Sequence, residues 1–195
     1  MTHTHEHPGL TPLRDGDFPI YTVTFVRDLE PAEVLARMGV DPETLALRDS
    51  TGLADELGDD FYDDEEPVVT TGVQGRWTWA WERGGVHGLD ARILGPVSRG
   101  TEAVVVHFNE KPVHWFAYAV DGRVVVDFHT LSPIEPVGDD PTRLDAHMRP
   151  LGLVPGRVAP LHSVLSLVEN AFGIGLVLPG DDDLSLSGRL YPLPE

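Results

Sequence analysis

The side chains best suited to chemistry are three histidines and a carboxylate in one stretch: His107, His114, Asp127 and His129. Imidazoles titrate near neutral pH and ligate transition metals, so a His and Asp cluster suits general acid/base work or a metal ion. Spacing decides whether they meet. Asp121-Gly122 is a two-residue hairpin signal, because both positions tolerate positive φ, and it predicts Val120 opposite Arg123, Phe116 opposite Asp127 and His114 opposite His129. A second two-residue turn at Glu110-Lys111 predicts His107 opposite His114, giving a row of three imidazoles with Asp127 one pleat away. Val104, Phe108, Trp115, Ala117, Val126 and Phe128 then share the opposite face and read as core. Histidine is also ordinary on the wet face of an antiparallel sheet, and no HExxH spacing accompanies the row, so no cofactor is required and a metal is the one candidate. A one-residue slip in either turn would break the row.

A second pattern is the run Arg76-Trp77-Thr78-Trp79-Ala80-Trp81-Glu82, whose alternation puts Trp77, Trp79 and Trp81 on one side of a strand. An exposed indole ladder would stack on a sugar, a flat ligand or a cation; a covered one would simply bury a large apolar area. The sequence favours burial. A third is the acidic stretch 55–66, with eight acids in twelve positions around Phe61 and Tyr62. Asp59, Asp60, Phe61, Tyr62, Asp63, Asp64 and Glu65 form a charged rim about two aromatic anchors, which suits a basic protein partner. A solvated acidic loop is the plainer reading, and the stretch lacks the ligand order of a calcium loop. His3, His5 and His7 have no surrounding shell to fix a metal, and Gly173-Ile174-Gly175 lacks the strand and spacing of a dinucleotide site.

These residues need a scaffold. Residues 20–26 alternate Tyr21, Val23 and Phe25 with Thr22 and Thr24, the period of a half-buried strand. Pro31, Val34, Leu35 and Met38 follow at helical spacing and end at Gly39; Asp41-Pro42 starts a second short helix through about Leu47. Strands are predicted at about 67–74, 76–82, 101–109, 112–120 and 123–130, and helices at 141–148 and 160–172, the latter with Leu161, Val164, Leu165, Val168 and Phe172 as its stripe. The fold class is α+β: an antiparallel meander of about five strands, with short N-terminal helices and a C-terminal helix packed on one face. Residues 1–17 read as a flexible leader and 18–195 as one domain.

Composition narrows the function. A chain of 195 residues with 41% hydrophobic content can bury a core, which argues against a disordered chain. No cysteine is present, so thiolate chemistry and disulfides are excluded and a cytoplasmic setting fits. No apolar run reaches membrane-spanning length. The net charge of −18 disfavours nucleic acid and anionic membranes as partners, because both demand clustered cations.

The segment Tyr21-Thr22-Val23-Thr24-Phe25-Val26-Arg27 with Leu29, Pro31, Glu33, Val34, Leu35 and Met38-Gly39 resembles the opening of small actinobacterial proteins of unknown function. The resemblance continues through the tryptophan strand, the Asp121-Gly122 hairpin and Asp127-Phe128 before Pro133, covering about residues 20–153. It implies a coherent fold and no activity.

The leading expectation is a non-enzymatic interaction module, of immunity or regulatory type, that offers an acidic and aromatic surface to a basic partner. The alternatives are a metal-dependent or His-based enzyme using His107, His114, Asp127 and His129, and a small-ligand binder using Trp77, Trp79 and Trp81.

Overall fold

The computed structural model describes residues 9–16, 18, 20–57, 67–82, 84–109, 111, 113–131, 133–160 and 162–190. Asp59, Asp60, Phe61, Tyr62, Asp63, Asp64 and Glu65 lie outside the described residues.

The chain is α+β and antiparallel as the patterning predicts, with eight strands in place of about five. In chain order the elements are α1 (Thr11–Asp15), β1 (Tyr21–Arg27), α2 (Pro31–Met38), β2 (Ala46–Arg48), α3 (Ser50–Leu57), β3 (Val68–Gln74), β4 (Trp77–Glu82), α4 (Ala91–Ser98), β5 (Glu102–Phe108), β6 (His114–Val120), β7 (Arg123–His129), α5 (Asp145–Met148), α6 (Ser163–Phe172) and β8 (Ser185–Arg189). They form one sheet in the order β2-β8-β3-β4-β1-β5-β6-β7. The two unanticipated strands are β2 and β8, three and five residues long, which pair with each other and, through β8, with β3. Short strands with Ser and Gly carry little hydrophobic alternation, and the 3-10 turn Pro42–Thr44 with β2 replaces the second helix expected there.

Helices cover both faces, whereas the sequence predicts one wet face. On one side Tyr21, Val23, Phe25, Val104, Val106, Phe116, Val126 and Phe128 pack with Val164, Leu165, Leu167 and Val168 of α6. On the other, Val26, Ala80, Ala103, Val105, Ala117 and Ala119 pack with Val34, Leu35 and Met38 of α2 and Ile93, Leu94 and Val97 of α4. The run of alanines on that second side lets the two helices approach closely. A sheet buried on both faces loses the polar/apolar contrast that a wet-face expectation needs.

Residues 9–16, within the stretch expected as a leader, pack on the domain. Leu10 and Leu13 of the α1 region lie in the core, and Glu169 of α6 accepts from Leu10 N at 2.6 Å and from the Arg14 guanidinium at 3.0 Å. One turn of helix carries too little periodicity to be read from sequence.

The three predicted ladder tryptophans belong to the first core. Trp77, Trp79 and Trp81 are each at most 6% exposed. Trp81 meets Phe18 and Tyr21 edge-on, Trp77 meets Phe172, and Trp79 lies on Gly72, where a Cβ would stand 2.3 Å from its Cζ2 atom. They offer no open stacking platform.

Candidate functional site

Two turns decide which polar groups meet. Asp121 and Gly122 adopt φ of 47° and 82°, and Val120 pairs with Arg123 as the dipeptide predicts. A bulge then intervenes: Ala119 pairs with Val124 but Tyr118 with Val126, so Phe116 faces Phe128, Ala117 faces Asp127 and Trp115 faces His129. Between β5 and β6 the connection spans residues 109–113, because Asn109 Oδ1 accepts from Lys111 N at 3.0 Å and Asn109 N donates to Val113 O at 3.3 Å. Phe108 therefore pairs with His114 and His107 with Trp115. The three-histidine row does not form: each hairpin is one residue out of the expected register, and His114 points to the opposite face from His107 and His129. The metal set His107, His114, Asp127 and His129 is thus split, and no group of three or more metal-ligating side chains occurs among the described residues.

A different row replaces it. Glu82 of β4 pairs with Thr22 of β1, Thr22 with His107 of β5, His107 with Trp115 of β6, and Trp115 with His129 of β7. Its deep end is a buried polar cluster. The Glu82 side chain has no exposure, and its two oxygens accept from His87 N and Gly88 N, each at 2.8 Å, at the 3-10 turn His87–Leu89. His87 Nδ1 stands 3.5 Å from Glu82 Oε2. Gly88 makes this closeness possible, since a Cβ there would lie 2.5 Å from Thr24 Oγ1. Thr22 Oγ1 donates its one proton to Gly85 O at 2.6 Å, so His107 Nδ1, 2.9 Å away, is the donor in their contact and Nε2 carries the lone pair. Burial pushes the His107 pKa down to about 4, partly opposed by a backbone hydrogen bond at Tyr21, so the ring is neutral at physiological pH.

The open end is a pocket of about 510 Å³. Trp115, Asp127 and His129 line it from the sheet, Leu89 from the 3-10 turn, and Pro133, Glu135 and Val137 from the segment that crosses the β7 edge. That segment is pinned: Asp127 and Val137 exchange two backbone hydrogen bonds of 2.9 Å, and Ile134, fully buried, pairs with Arg157 and Gly156. The pocket is therefore preformed. Burial raises the Asp127 carboxyl above the usual carboxylate range, with His129 opposing. His129 Nδ1 is buried and has no hydrogen-bond partner among the described residues.

On the other face His114 packs 4.9 Å from the Phe108 ring and 6.1 Å from that of His162, and its pKa is pushed down to about 4 by burial, then by His162 and His107. Two imidazoles without a third group do not make a metal centre.

The family comparison matches residues 14–162, a span holding the whole row and the pocket wall. The chain belongs to DUF6461, a family of unknown function. No curated protein and no solved structure matches the chain. Of the elements in this DUF6461 chain, α6 and β8 fall outside the matched span.

Sequence reasoning missed Glu82, Thr22, His87 and Glu135. Glu82 and Thr22 occupy the small or polar positions between the large residues of their strands, and the only signal was that a second buried face would place these alternates together.

Proposed function

We propose that the protein is a non-enzymatic interaction module, of immunity or regulatory type, that binds a basic partner in the cytoplasm. The observation that carries this reading is the use of the arginines. Among the described residues Arg14, Arg27, Arg37, Arg76, Arg92, Arg123 and Arg149 each pair with a carboxylate of the same chain: Glu169, Glu102, Glu33, Asp28, Asp90, Asp139 and Asp145. Seven of the twelve described arginines are thus matched locally, and the net charge of −18 leaves carboxylates in excess and the field around the chain negative. Such a field speeds encounter with cations and repels acids. Asp59, Asp60, Asp63, Asp64 and Glu65, with Phe61 and Tyr62 as anchors, supply the acidic segment of that surface in this reading.

Labelled peptides of matched length, one basic, one neutral and one acidic, test it by fluorescence anisotropy. The basic peptide alone is expected to bind, more weakly as salt rises from about 0.05 to about 0.3 M because the Debye length shrinks. Replacing the eight acids of residues 55–66 with Asn and Gln is expected to weaken it further. Equal binding of all three peptides, or none, rules the reading out.

A further inference from the structure

Carboxylates in this fold are matched with care. Among the described residues every buried or partly buried Asp or Glu accepts a hydrogen bond, with one exception. Asp41, Asp49 and Glu82 accept from backbone N–H groups, Asp140 from Thr142, Asp90 and Asp145 from arginines, Glu102 from Arg27 and Tyr118, and Glu169 from Leu10 and Arg14. Asp127 is the exception: its carboxylate accepts no hydrogen bond and forms no ion pair with any described residue, although it is partly buried and desolvation already disfavours its charge. Leaving a partly buried carboxylate without a donor is costly, and the position where a fold tolerates that cost is commonly a binding site.

Its surroundings define what is missing. Asp127 sits in the preformed pocket with Glu135 as a second acceptor, and no described Lys or Arg lines that pocket. One wall is the flat indole of Trp115, flanked by His107 and His129 with ring centroids at 5.3 and 5.7 Å. A quaternary ammonium has no N–H and would leave both carboxylates unpartnered. A lysine ammonium is attracted to an indole face but is a compact point charge, without a planar fork to stack on the ring and pair with carboxylates. A guanidinium is planar, stacks on an indole and carries five N–H donors in a fork that matches carboxylates.

We propose that this pocket is a guanidinium socket, in which an arginine side chain of the partner lies along Trp115 and shares its N–H groups between Asp127 and Glu135. The proposal rests on the basic-partner reading and names the chemical group that is read.

Three peptides that differ at one position, arginine, lysine or citrulline, test it by calorimetric titration against the full chain. The arginine peptide is expected to bind at least about tenfold more tightly than the lysine one, with citrulline weakest, since one charge-assisted hydrogen bond is worth about that factor. Asp127→Asn and Glu135→Gln are each expected to remove most of the arginine preference, and Trp115→Phe to abolish any fluorescence change on binding. Equal affinity for arginine and lysine, still lost in Asp127→Asn, overturns the socket while leaving the basic-partner reading intact. Arginine-selective binding untouched by both carboxylate variants also overturns the socket and moves the contact to another acidic surface. Failure of every peptide to bind overturns both. Should Asp127→Asn not fold, Glu135→Gln and the citrulline peptide decide between the same outcomes.

Discussion

Trp115 of β6 and His129 of β7 are cross-strand partners, with ring centroids 5.7 Å apart and an interplanar angle of 60°. Trp115 is also the one tryptophan of four that is not buried in a core cluster. Acrylamide is therefore expected to quench Trp115 selectively, and Trp115→Phe to remove the quenchable fraction of the emission while the blue-shifted remainder persists. Unchanged quenching in that variant would place Trp115 away from solvent and close the pocket.

Asp127 is expected to weigh against stability at neutral pH. Its folded pKa lies above its unfolded one, so its contribution is favourable only in acid and is lost as pH rises through the folded value. Asp127→Asn is expected to stabilise the protein by roughly 0.5–2 kcal/mol at pH 7, the range of single stabilising substitutions, and by less at pH 4. Urea unfolding at both pH values checks this; destabilisation at pH 7 would show that the carboxylate has a partner.

Glu82 is expected to be structural at the deep end of the row. Glu82→Ala takes the acceptor from two buried N–H groups and should cost about 3–5 kcal/mol, while Glu82→Gln keeps one acceptor and should cost less. A loss under about 1 kcal/mol for the alanine variant would mean that water replaces the carboxylate there.

The two buried imidazoles set an acid limit. His107 and His114 have pKa values pushed down from 6.5 to about 4, so the unfolded chain takes up these protons at higher pH than the folded chain. Their stabilisation is full above pH 6.5 and falls as pH drops toward 4, each by on the order of 3 kcal/mol. Urea midpoints measured from pH 7 to pH 4.5 should fall accordingly, and His114→Gln should shallow the slope. A midpoint indifferent to pH across that window contradicts the burial of both rings.

Gly72 marks where Trp79 meets the neighbouring strand. Gly72→Ala would place a Cβ 2.3 Å from the indole and is expected to destabilise by about 1–3 kcal/mol through forced repacking. Thermal unfolding measures it directly, and a neutral result would indicate that Trp79 has room to shift.

The sequence was most legible where short-range chemistry acts alone. β1, β4 and α2 form where alternation, helical spacing and the Pro31 and Gly39 boundaries predict them, and the Asp121-Gly122 turn has the expected positive φ values. α1, β2 and β8 were missed, since five, three and five residues give too few periods to stand out. α3 and α4 were missed too, and Pro96 inside α4 runs against its helical reading.

The chain's own residues determined the acidic character, the absence of thiol chemistry, the antiparallel class and the burial of the tryptophan strand, because these depend on composition and on local period. Register was decided only by the fold. The Asn109 loop and the bulge before Val126 each add a residue, and each addition turns a strand's side chains over: Trp115 takes the place predicted for His114, and Glu82 and Thr22, unremarkable in the sequence, come into line with His107. Parity is a property of two strands and the turn between them, and so the grouping of Asp127, His129, Trp115 and Glu135 around one pocket belongs to the tertiary structure.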